Sequence, residues 1–405
     1  MKLIADFHIH SKYSRAVSPR MNLEEINRKG RIKGIDIIGT GDFTHPLWFS
    51  ELKEKLVLDA SSFYTLKGVQ SIKFVITGEV SLIYSKFSKT RKVHLVLICP
   101  NLKIAEKINR ELSLKHNLKS DGRPILLLDA KEFLKIILNI SKEVLVVPAH
   151  IMTPWFSLYG SRSGFDSIED CFEELSEYIY AYETGLSADP SMLLKMKECR
   201  ERTLLSNSDA HSPQKLGREA NVFDCDFNYE AIVEKIKKNE LVETIEFYPE
   251  EGKYFNDGHR KCNINFSFEE TEKYNGICPV CSKPLVLGVS NRVNALSDLK
   301  EVEAKFKSLV PLRDILAEIF DVGALTKTVT KEYLKLIDEF KSEFNILLYE
   351  DILNIKRVNE EVACAIKKVR EGDIQIIPGF DGEFGKVKIF GKEEKKKEYL
   401  QQTLL

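Results

Sequence analysis

The chain has 405 residues, of which 43% are hydrophobic and 30% are charged, and its formal net charge at pH 7 is −1. This length predicts two or three domains, and no apolar run approaches the roughly 20 residues that a membrane span needs. The sequence begins directly with a strand-like run rather than a signal peptide, so we expect a cytoplasmic protein with no membrane partner. The near-zero net charge alone does not predict binding to nucleic acid.

Residues 1–249 alternate short β-rich runs with segments of helical period. One such segment, Leu23–Lys33, has Asn22 as its expected N-cap and Glu25 three residues later. Repeated alternation of this kind predicts an α/β domain with a largely parallel sheet, and the number of repeats indicates a barrel of seven or eight strands. The β-rich runs are Leu3–His10, Ile35–Phe43, Phe74–Tyr84, Val93–Cys99, Val144–His150, Tyr178–Thr184, Thr203–Asp209 and Val242–Tyr248.

Two regions of different character follow the predicted barrel. Residues 250–290 are polar and contain a cluster of cysteines, whereas residues 291–405 are mostly helical by period. The predicted helices of this last region are Ala295–Lys307, Pro311–Ile319, Lys331–Phe340 and Asn359–Glu371. A glycine-rich segment at 378–385 and a charged tail at 392–402 complete the chain.

Histidines are concentrated in the first region. His8 and His10 are two residues apart in an extended run and therefore point to one face, which Asp6 shares. Asp209 and His211 repeat this spacing. Because chemistry in α/β barrels gathers at the C-terminal ends of strands, we expect one shared site, in which Asp6 either binds a metal or orients a ligand. Of the eight histidines in the chain, six lie in or just after predicted strands: His8, His10, His45, His94, His150 and His211.

Carboxylates accompany these histidines. A hairpin turning between residues 84 and 89 would place Glu79 and His94 directly opposite each other, and Asp42 follows the second predicted strand. Imidazole and carboxylate ligands together suit zinc, manganese or iron. More than four ligands require at least two metals, with Glu79 able to bridge them, and closely spaced metals favour phosphoryl displacement. The pattern predicts a metal-dependent hydrolase of phosphate esters.

The order of these motifs resembles that of the PHP (polymerase and histidinol phosphatase) superfamily. The resemblance implies a distorted (β/α)7 barrel that holds two or three divalent metals. The motifs are Asp-Phe-His-Ile-His-Ser at 6–11, Thr-Gly-Glu at 77–79, Lys-Val-His at 92–94, Pro-Ala-His at 148–150 and Ser-Asp-Ala-His at 208–211. The ligands that it implies are His8, His10, Glu79 and Asp209 for one metal, Glu79, His94 and His150 for a second, and His211 with Asp42 or His45 for a third.

The sequence departs from the superfamily pattern at the third metal. Members commonly carry Thr-Asp-His after the second strand, where this chain has Gly-Asp-Phe-Thr-His at 41–45. A further ligand is expected a few residues after the first histidine pair, but residues 12–15 of this chain are Lys-Tyr-Ser-Arg. We therefore expect the third metal to be weak, absent or completed by substrate. We predict that Asp209, Glu79 and His211 are the catalytic residues, with Asp209 also handling the proton of the nucleophile.

A second metal site is predicted in the cysteine-rich region. His259-x2-Cys262-x15-Cys278-x2-Cys281 has the spacing of a structural zinc site. Asp257 is the alternative to His259 as fourth ligand. Because the segment is too small to fold by packing alone, the metal would hold it together.

The order of barrel, zinc module and helical region resembles the endonuclease Q family. The shared motifs are Gly-Asp-Phe-Thr-His-Pro at 41–46, Gly-His-Arg-Lys-Cys at 258–262 and Cys-Pro-Val-Cys at 278–281. The resemblance implies a DNA repair endonuclease that uses divalent metal, such as magnesium, and nicks DNA 5′ to hypoxanthine, xanthine, uracil or abasic sites. It implies damaged DNA as the partner and leaves recruitment of a sliding clamp open.

An endonuclease of this kind is expected to extrude the damaged base into a pocket. The aromatic residues after His150 either line that pocket or pack their own loop down, and nearby basic residues are candidates to hold the DNA backbone. The candidate substrate-binding residues are Trp155, Phe156, Tyr159, Arg162, Arg260 and Lys261, with Arg292 and the wedge candidates Phe380 and Phe384 beside them.

Two other functions fit parts of the sequence. A PHP-type phosphatase of a small phosphate monoester would use the same barrel ligands but would not need the zinc module or the helical region. A non-catalytic nucleic-acid-binding protein would need neither metal chemistry nor so complete a ligand set.

Overall fold

The computed structural model describes residues 2–391, so the predicted charged tail at 392–402 lies outside the described residues. Short strands and helices alternate through most of the chain. The strands are β1 Lys2–Asp6, β2 Ile37–Gly39, β3 Leu56–Leu58, β4 Tyr64–Leu66, β5 Lys73–Lys86, β6 Lys89–Cys99, β7 Ile125–Leu126, β8 Leu145–Pro148, β9 Ala181–Glu183, β10 Thr203–Leu205, β11 Ala220–Asp224, β12 Glu243–Glu246, β13 Asp257–His259, β14 Ile264–Phe266, β15 Phe306–Ser308, β16 Gln375–Ile377 and β17 Lys386–Lys388.

The helices connect and cover these strands. They are α1 Leu23–Lys33, α2 Pro46–Lys55, α3 Leu102–Ser113, α4 Ala130–Ile140, α5 Ile168–Phe172, α6 Pro190–Leu193, α7 Lys197–Arg200, α8 Tyr229–Lys237, α9 Phe268–Lys273, α10 Val289–Leu296, α11 Leu312–Phe320, α12 Lys327–Phe340, α13 Ile352–Val358 and α14 Glu360–Glu371. The Asn22 side chain caps α1 as predicted, since it accepts from the Glu25 N–H at 2.9 Å. Within residues 2–391, no helix is both long and apolar enough to cross a bilayer.

Eleven of the described strands form one mixed sheet. Its main path runs β15–β12–β11–β1–β2–β5–β4–β3, while β6 and β7 also pair with β5 and β8 pairs with β6. The α/β class is confirmed, but the prediction of a largely parallel sheet is wrong. The β1–β2–β5 path is parallel, whereas β11 is antiparallel to β1 and β6 is antiparallel to both β5 and β8.

Side-chain hydrogen bonds complete the barrel wall where strand pairing stops. β9 and β10 form a separate parallel pair. Ser206, directly after β10, donates its Oγ to the Ile245 carbonyl of β12 and its N–H to Asn221 Oδ1 of β11, both at 2.9 Å. Asn221, the second residue of β11, is buried, and this polar residue explains why sequence periodicity missed that strand.

The third region is partly as predicted. Three of the four expected helices are present as α11, α12 and α14, but the helix expected at Ala295–Lys307 is wrong. Helix α10 ends at Leu296, Asp298 pairs with Arg200 at 2.6 Å, and β15 then extends along β12. Tertiary pairing therefore overrode the local helical pattern.

The hydrophobic core continues from the barrel into the C-terminal helices as one cluster. A buried ion pair ties the two together, because Lys33 Nζ of α1 lies 2.8 Å from Glu343 Oε1. Tyr333 of α12 also donates to Glu343, at 2.6 Å. Removing one partner from such a pair costs about 3–5 kcal/mol. The division at 249 and 290 stays a prediction, since the core does not stop at either boundary.

Candidate metal centres

The two histidine motifs of the barrel lie side by side. Ile9 and Ala210 form a parallel bridge, and the His10 N–H donates to the Ala210 carbonyl at 3.1 Å. The rings of His10 and His211 are consequently 4.6 Å apart. Residues separated by two hundred positions therefore share one surface of the barrel interior.

The first candidate metal site contains His8, His10 and Asp209, whose ligand atoms all lie within 4.8 Å of one another. His8 Nε2, His10 Nε2 and Asp209 Oδ1 are buried, and in the described chain none of them has a hydrogen bond of acceptable geometry. Buried polar atoms without partners are costly. Three such atoms facing one another are the arrangement expected of ligands for a cation.

The second candidate site contains Glu79, His94 and His150, again within 4.8 Å. Glu79 Oε1 lies 2.6 Å from His94 Nδ1 and 3.3 Å from His150 Nε2. Its other oxygen, Oε2, lies 3.4 Å from His8 Nε2 and 3.3 Å from His10 Nε2. Glu79 thus stands between the two groups, as a bridging carboxylate must.

The prediction that Glu79 pairs directly with His94 is wrong, because the register of the hairpin differs by two residues from the predicted one. β5 and β6 turn tightly at Phe87 and Ser88, both with positive φ. This register pairs His94 with Ser81 and Glu79 with Val96. Because side chains alternate with a period of two, a shift of two residues keeps Glu79 and His94 on the same face.

The centre is strongly charged. Burial raises the pKa of Glu79, but His94, Arg123 and His8 outweigh this and hold it well below its usual range. Burial lowers the pKa of His94 to about 4, which favours the neutral imidazole that binds metals. Burial likewise opposes ionisation of Asp209, yet contacts with His10 and His8 hold its pKa far below the usual value. Ionised carboxylates and neutral imidazole are a donor set that suits divalent cations.

Glu183, at the end of β9, positions two of these ligands and was missed by sequence reasoning. Its carboxylate accepts from His8 Nδ1 at 2.9 Å and from the His150 N–H at 2.8 Å. A carboxylate on the second ring nitrogen fixes the tautomer and orientation of a metal-binding histidine. The sequence offered one signal for Glu183, an acidic residue at the end of a predicted strand and close to Gly185. In the structure, Gly185 has a φ of +65°, and a Cβ added at this position would lie 2.4 Å from the Cβ of His150.

The predicted ligand Asp42 is committed to hydrogen bonds. Oδ1 accepts from His10 Nδ1 at 3.0 Å, and Oδ2 accepts from the Ser11 N–H at 2.6 Å and from Ser14 Oγ at 2.9 Å. Asp42 thus positions His10 in the same way that Glu183 positions His8, by accepting a hydrogen bond from the ring nitrogen Nδ1. Asp6 accepts backbone N–H groups from Ser208 and Gly217, each at 3.1 Å, and so braces the Asp209 loop.

The other residues predicted for a third metal are not gathered around one point. His45 stacks on Tyr13 with ring centroids 4.6 Å apart. His211 Nδ1 lies 2.8 Å from the Asp209 carbonyl and 3.5 Å from Asp209 Oδ1, at the edge of the first site. Of the three, His211 is the one that faces the described ligand groups.

Backbone strain also marks the centre. Asp42, His150 and Asp209 have φ of +48°, +34° and +44°, a region that residues other than glycine rarely occupy. Such conformations persist where surrounding structure enforces them and cluster at functional sites.

The four residues of the predicted zinc module, His259, Cys262, Cys278 and Cys281, place one ligand atom each within 4.8 Å of one another. Cys278 and Cys281 lie on a tight turn in which the Cys278 N–H donates to the Lys283 carbonyl at 2.8 Å. Desolvation raises the pKa of Cys278, but hydrogen bonds from the Cys281 and Val280 backbone lower it to about 7, which favours the thiolate that zinc binds. The alternative ligand Asp257 is instead occupied by the Gly288 N–H at 2.6 Å and the Asn291 side chain at 2.7 Å.

The loop after β8 presents part of the predicted substrate surface. Trp155 is 44% exposed, with the Arg162 guanidinium 6.0 Å from its ring. Phe156 is partly buried and lies against His94, with ring centroids 4.8 Å apart. Tyr159 does not fit the predicted pocket, because it is fully buried and its hydroxyl bonds to Glu198 and Tyr182.

The zinc module, the glycine-rich segment and this loop form one surface. Trp155 approaches Tyr254 with ring centroids 6.0 Å apart, and the Arg260 N–H donates to Asp381 at 2.7 Å. Arg260 and Lys261 are exposed there as expected. Phe384 is 66% exposed with Lys253 Nζ 4.4 Å from its ring centroid.

Two of the residues considered for DNA binding have structural roles. Arg292 does not face solvent as a DNA contact would, because it donates to the Tyr159 and Phe165 carbonyls at 2.8 Å and so holds the loop after β8. Phe380 packs against Gly258, where an added Cβ would lie 2.5 Å from its ring.

Comparison with solved structures identifies the family. The chain is similar to the crystal structure of the lesion-specific endonuclease PfuEndoQ from Pyrococcus furiosus, with a TM-score of 0.86, 32% identity and coverage of 98% of this chain and 97% of that one. The chain belongs to the endonuclease Q family. It is equally similar to an endonuclease Q in complex with a 27-mer duplex that has an abasic lesion at the active site, with a TM-score of 0.84, 32% identity and 98% coverage of both chains.

The chain is also similar to two proteins of other organisms in sequence. YqxK of Bacillus subtilis strain 168 is 29% identical over 415 residues, which cover 96% of this chain and 99% of YqxK. MJ0043 of Methanocaldococcus jannaschii is 36% identical over 265 residues, or 62% of this chain, but the match spans only a third of the length of MJ0043. A family model of the MJ0043 C-terminal domain matches residues 311–373, which contain helices α11 to α14.

Proposed function

We propose that this chain is a DNA repair endonuclease that hydrolyses the phosphodiester 5′ to deaminated bases, such as hypoxanthine, uracil and xanthine, or to abasic sites. The observation that carries the proposal is the pair of ligand groups joined by Glu79, in a chain that aligns with endonuclease Q over nearly its whole length. The neighbour bound to an abasic duplex supports damaged DNA as the partner.

The barrel residues divide the work of hydrolysis. His8, His10 and Asp209 would hold one divalent cation and Glu79, His94 and His150 a second. Cations held there supply positive charge that stabilises the oxygens of an in-line phosphoryl displacement. The Asp209 side chain is 25% exposed and so reaches the mouth of the centre. It is therefore placed to accept the proton of the attacking water at the mouth of the centre.

Recognition of damage is assigned to the surface beside the centre. Trp155 is exposed next to Phe156, which touches the metal ligand His94. A base extruded from the duplex can stack on an aromatic ring of this kind, and stacking contributes about 1–3 kcal/mol per base. Arg162, Arg260 and Lys261 supply positive charge for the DNA backbone along the same surface.

The metals are assigned by ligand chemistry. Zinc, manganese or iron suits the histidine-rich barrel centre, with magnesium able to support activity, and zinc suits the four-residue module. We place the enzyme in the cytoplasm with its DNA substrate. A sliding clamp stays a candidate partner.

The test uses end-labelled duplexes that each contain one abasic site, one deoxyinosine or one deoxyuridine, with an undamaged duplex as control. With magnesium or manganese, we expect a nick on the 5′ side of the lesion that a chelator prevents. Release of phosphate from p-nitrophenyl phosphate without nicking would instead identify a phosphatase. Binding of the duplexes without either reaction would identify a non-catalytic protein.

A further inference from the structure

Arg123 is a charged residue at the centre to which neither sequence motif nor ligand group gives a role. Its Nη1 lies 3.1 Å from Oε2 of Glu79, the carboxylate that joins the two metal-binding groups. The Glu79 side chain is fully buried, whereas the Arg123 side chain is 28% exposed. The guanidinium therefore reaches from the mouth of the centre to its middle.

The backbone around Arg123 is fixed on both sides. Before it, the Gly122 N–H donates to the Tyr13 carbonyl at 3.0 Å, and a Cβ on Gly122 would lie 2.4 Å from Asp42 Oδ2. After it, the Pro124 carbonyl accepts from the Ser81 N–H at 3.0 Å, and β7 continues along β5. This clamped position aims the side chain inward and makes its approach to Glu79 reproducible.

A cation bound at Glu79 would compete with Arg123 for the negative charge of that carboxylate. Arg123 interacts with Asp209 as well as with Glu79, and both belong to the ligand groups described above. When those carboxylates bind cations, their negative charge is neutralised and they hold the guanidinium less strongly. The guanidinium can then turn toward the open mouth of the centre, through which a phosphodiester must enter.

We propose that Arg123 is a catalytic residue that donates hydrogen bonds to a non-bridging oxygen of the scissile phosphate and stabilises the negative charge that develops there. The guanidinium suits this role because it is always charged and its planar fork matches phosphate geometry. The inference rests on the proposed function for the identity of the phosphodiester. A purely structural role, as counter-charge to Glu79, is the alternative that the test must separate.

The first test compares Arg123→Ala and Arg123→Lys with the wild type on the abasic duplex. We expect Arg123→Ala to lower kcat about 10²-fold, with KM changed less than about 3-fold because duplex binding depends on many other contacts. Arg123→Lys should recover part of the rate, since it keeps the charge but not the fork. Arg15→Ala is the matched control, because Arg15 pairs with Asp121 just before this segment and its side chain is 78% exposed.

Metal content and thermal stability are measured on the same variants. We expect Arg123→Ala to retain the metals of the wild type, because Arg123 is not a ligand. Loss of metal or of stability in proportion to the loss of rate would overturn the inference in favour of a structural role. A kcat within about threefold of the wild type would also overturn it.

A sulfur substitution locates the contact. With the scissile phosphate replaced by each phosphorothioate diastereomer, we expect one diastereomer to slow the wild type more than it slows Arg123→Ala. Equal sulfur effects in both proteins would contradict the contact. Bis(p-nitrophenyl) phosphate keeps the two proposals separate: wild type that cleaves this diester but not damaged DNA refutes the proposed function, and Arg123 is then judged on the diester.

Discussion

The barrel centre takes its ligands from segments spread over residues 8–211, whereas the zinc module takes all four of its ligands from residues 259–281. Side chains of His8, His10 and Glu79 are at most 1% exposed in the barrel. In the module, Cys278 is buried but Cys281 is exposed. The ligands of the barrel centre are therefore more deeply buried than those of the module.

This difference assigns different roles to the metals of the two centres. Around the barrel centre, a large core and the bonds from Glu183 and Asp42 hold the ligands without help from a metal. A metal there is free to act on substrate. In the module, short strands β13 and β14 and one tight turn give little core, so a metal bound there would hold the fold together.

Replacing a module ligand should cause the largest effect on structure. We expect Cys278→Ser to lose the zinc of the module and to unfold residues 257–285 locally, because apparent zinc-binding free energies at such sites reach about 10–16 kcal/mol. Zinc content and the thermal transition measure this. Cys364→Ser, an exposed cysteine outside the cluster, is the control and should change neither. Retention of the full zinc content by Cys278→Ser would reject the module.

Replacing a barrel ligand should affect chemistry without comparable unfolding. We expect Asp209→Asn to lower the nicking rate by about 10³-fold or more, because a ligand and a proton acceptor are lost together. DNA binding and circular dichroism should be nearly unchanged. Asp298→Asn, on an exposed ion pair far along the chain, should retain wild-type nicking. Full activity of Asp209→Asn would remove the barrel centre from the mechanism.

Replacing a residue that positions the ligands should give an intermediate effect. We expect Glu183→Gln to weaken metal binding or activity about 10–100-fold, because His8 keeps its place but loses a charged hydrogen-bond acceptor. Activity measured against metal concentration should shift to higher metal and recover at saturation. A rate that does not recover at any metal concentration would indicate that Glu183 acts on substrate directly.

Replacing an aromatic residue at the contact between the barrel loop and the module should cause the smallest effect. Trp155 of the barrel loop meets Tyr254 just before the module. We expect Trp155→Ala to weaken binding of the deoxyinosine duplex by about 1–2 kcal/mol while leaving metal content unchanged. The undamaged duplex should be less affected, and an equal loss on both duplexes would place Trp155 on the backbone rather than at the lesion.

The candidate ligands could be picked out of the sequence because their spacing is local. His8 with His10, Asp209 with His211, and the module cysteines each lie in short motifs. The partners that orient them were not predictable in the same way. Glu183 reaches His8 only through the barrel closure, and Arg123 reaches Glu79 only because β7 pairs with β5.

Secondary structure shows the same division. Amphipathic helices such as α1 and α14 were predicted from their caps and periods. β11 was missed because its buried residue Asn221 is polar, and β15 was mistaken for helix because its pairing with β12 is non-local. The register of the β5–β6 hairpin is set by a two-residue turn with positive φ values. No pattern in the sequence predicts these φ values.

The most direct test of the barrel centre as the site of cleavage is a metal titration of chelated protein with the abasic duplex. We expect the chelated protein to keep its barrel fold and to leave the duplex intact. Nicking should return in proportion to metal bound by the barrel and should be absent in Asp209→Asn at every metal concentration. Cleavage by the fully chelated wild type, or by metal-loaded Asp209→Asn at the wild-type rate, would contradict the account.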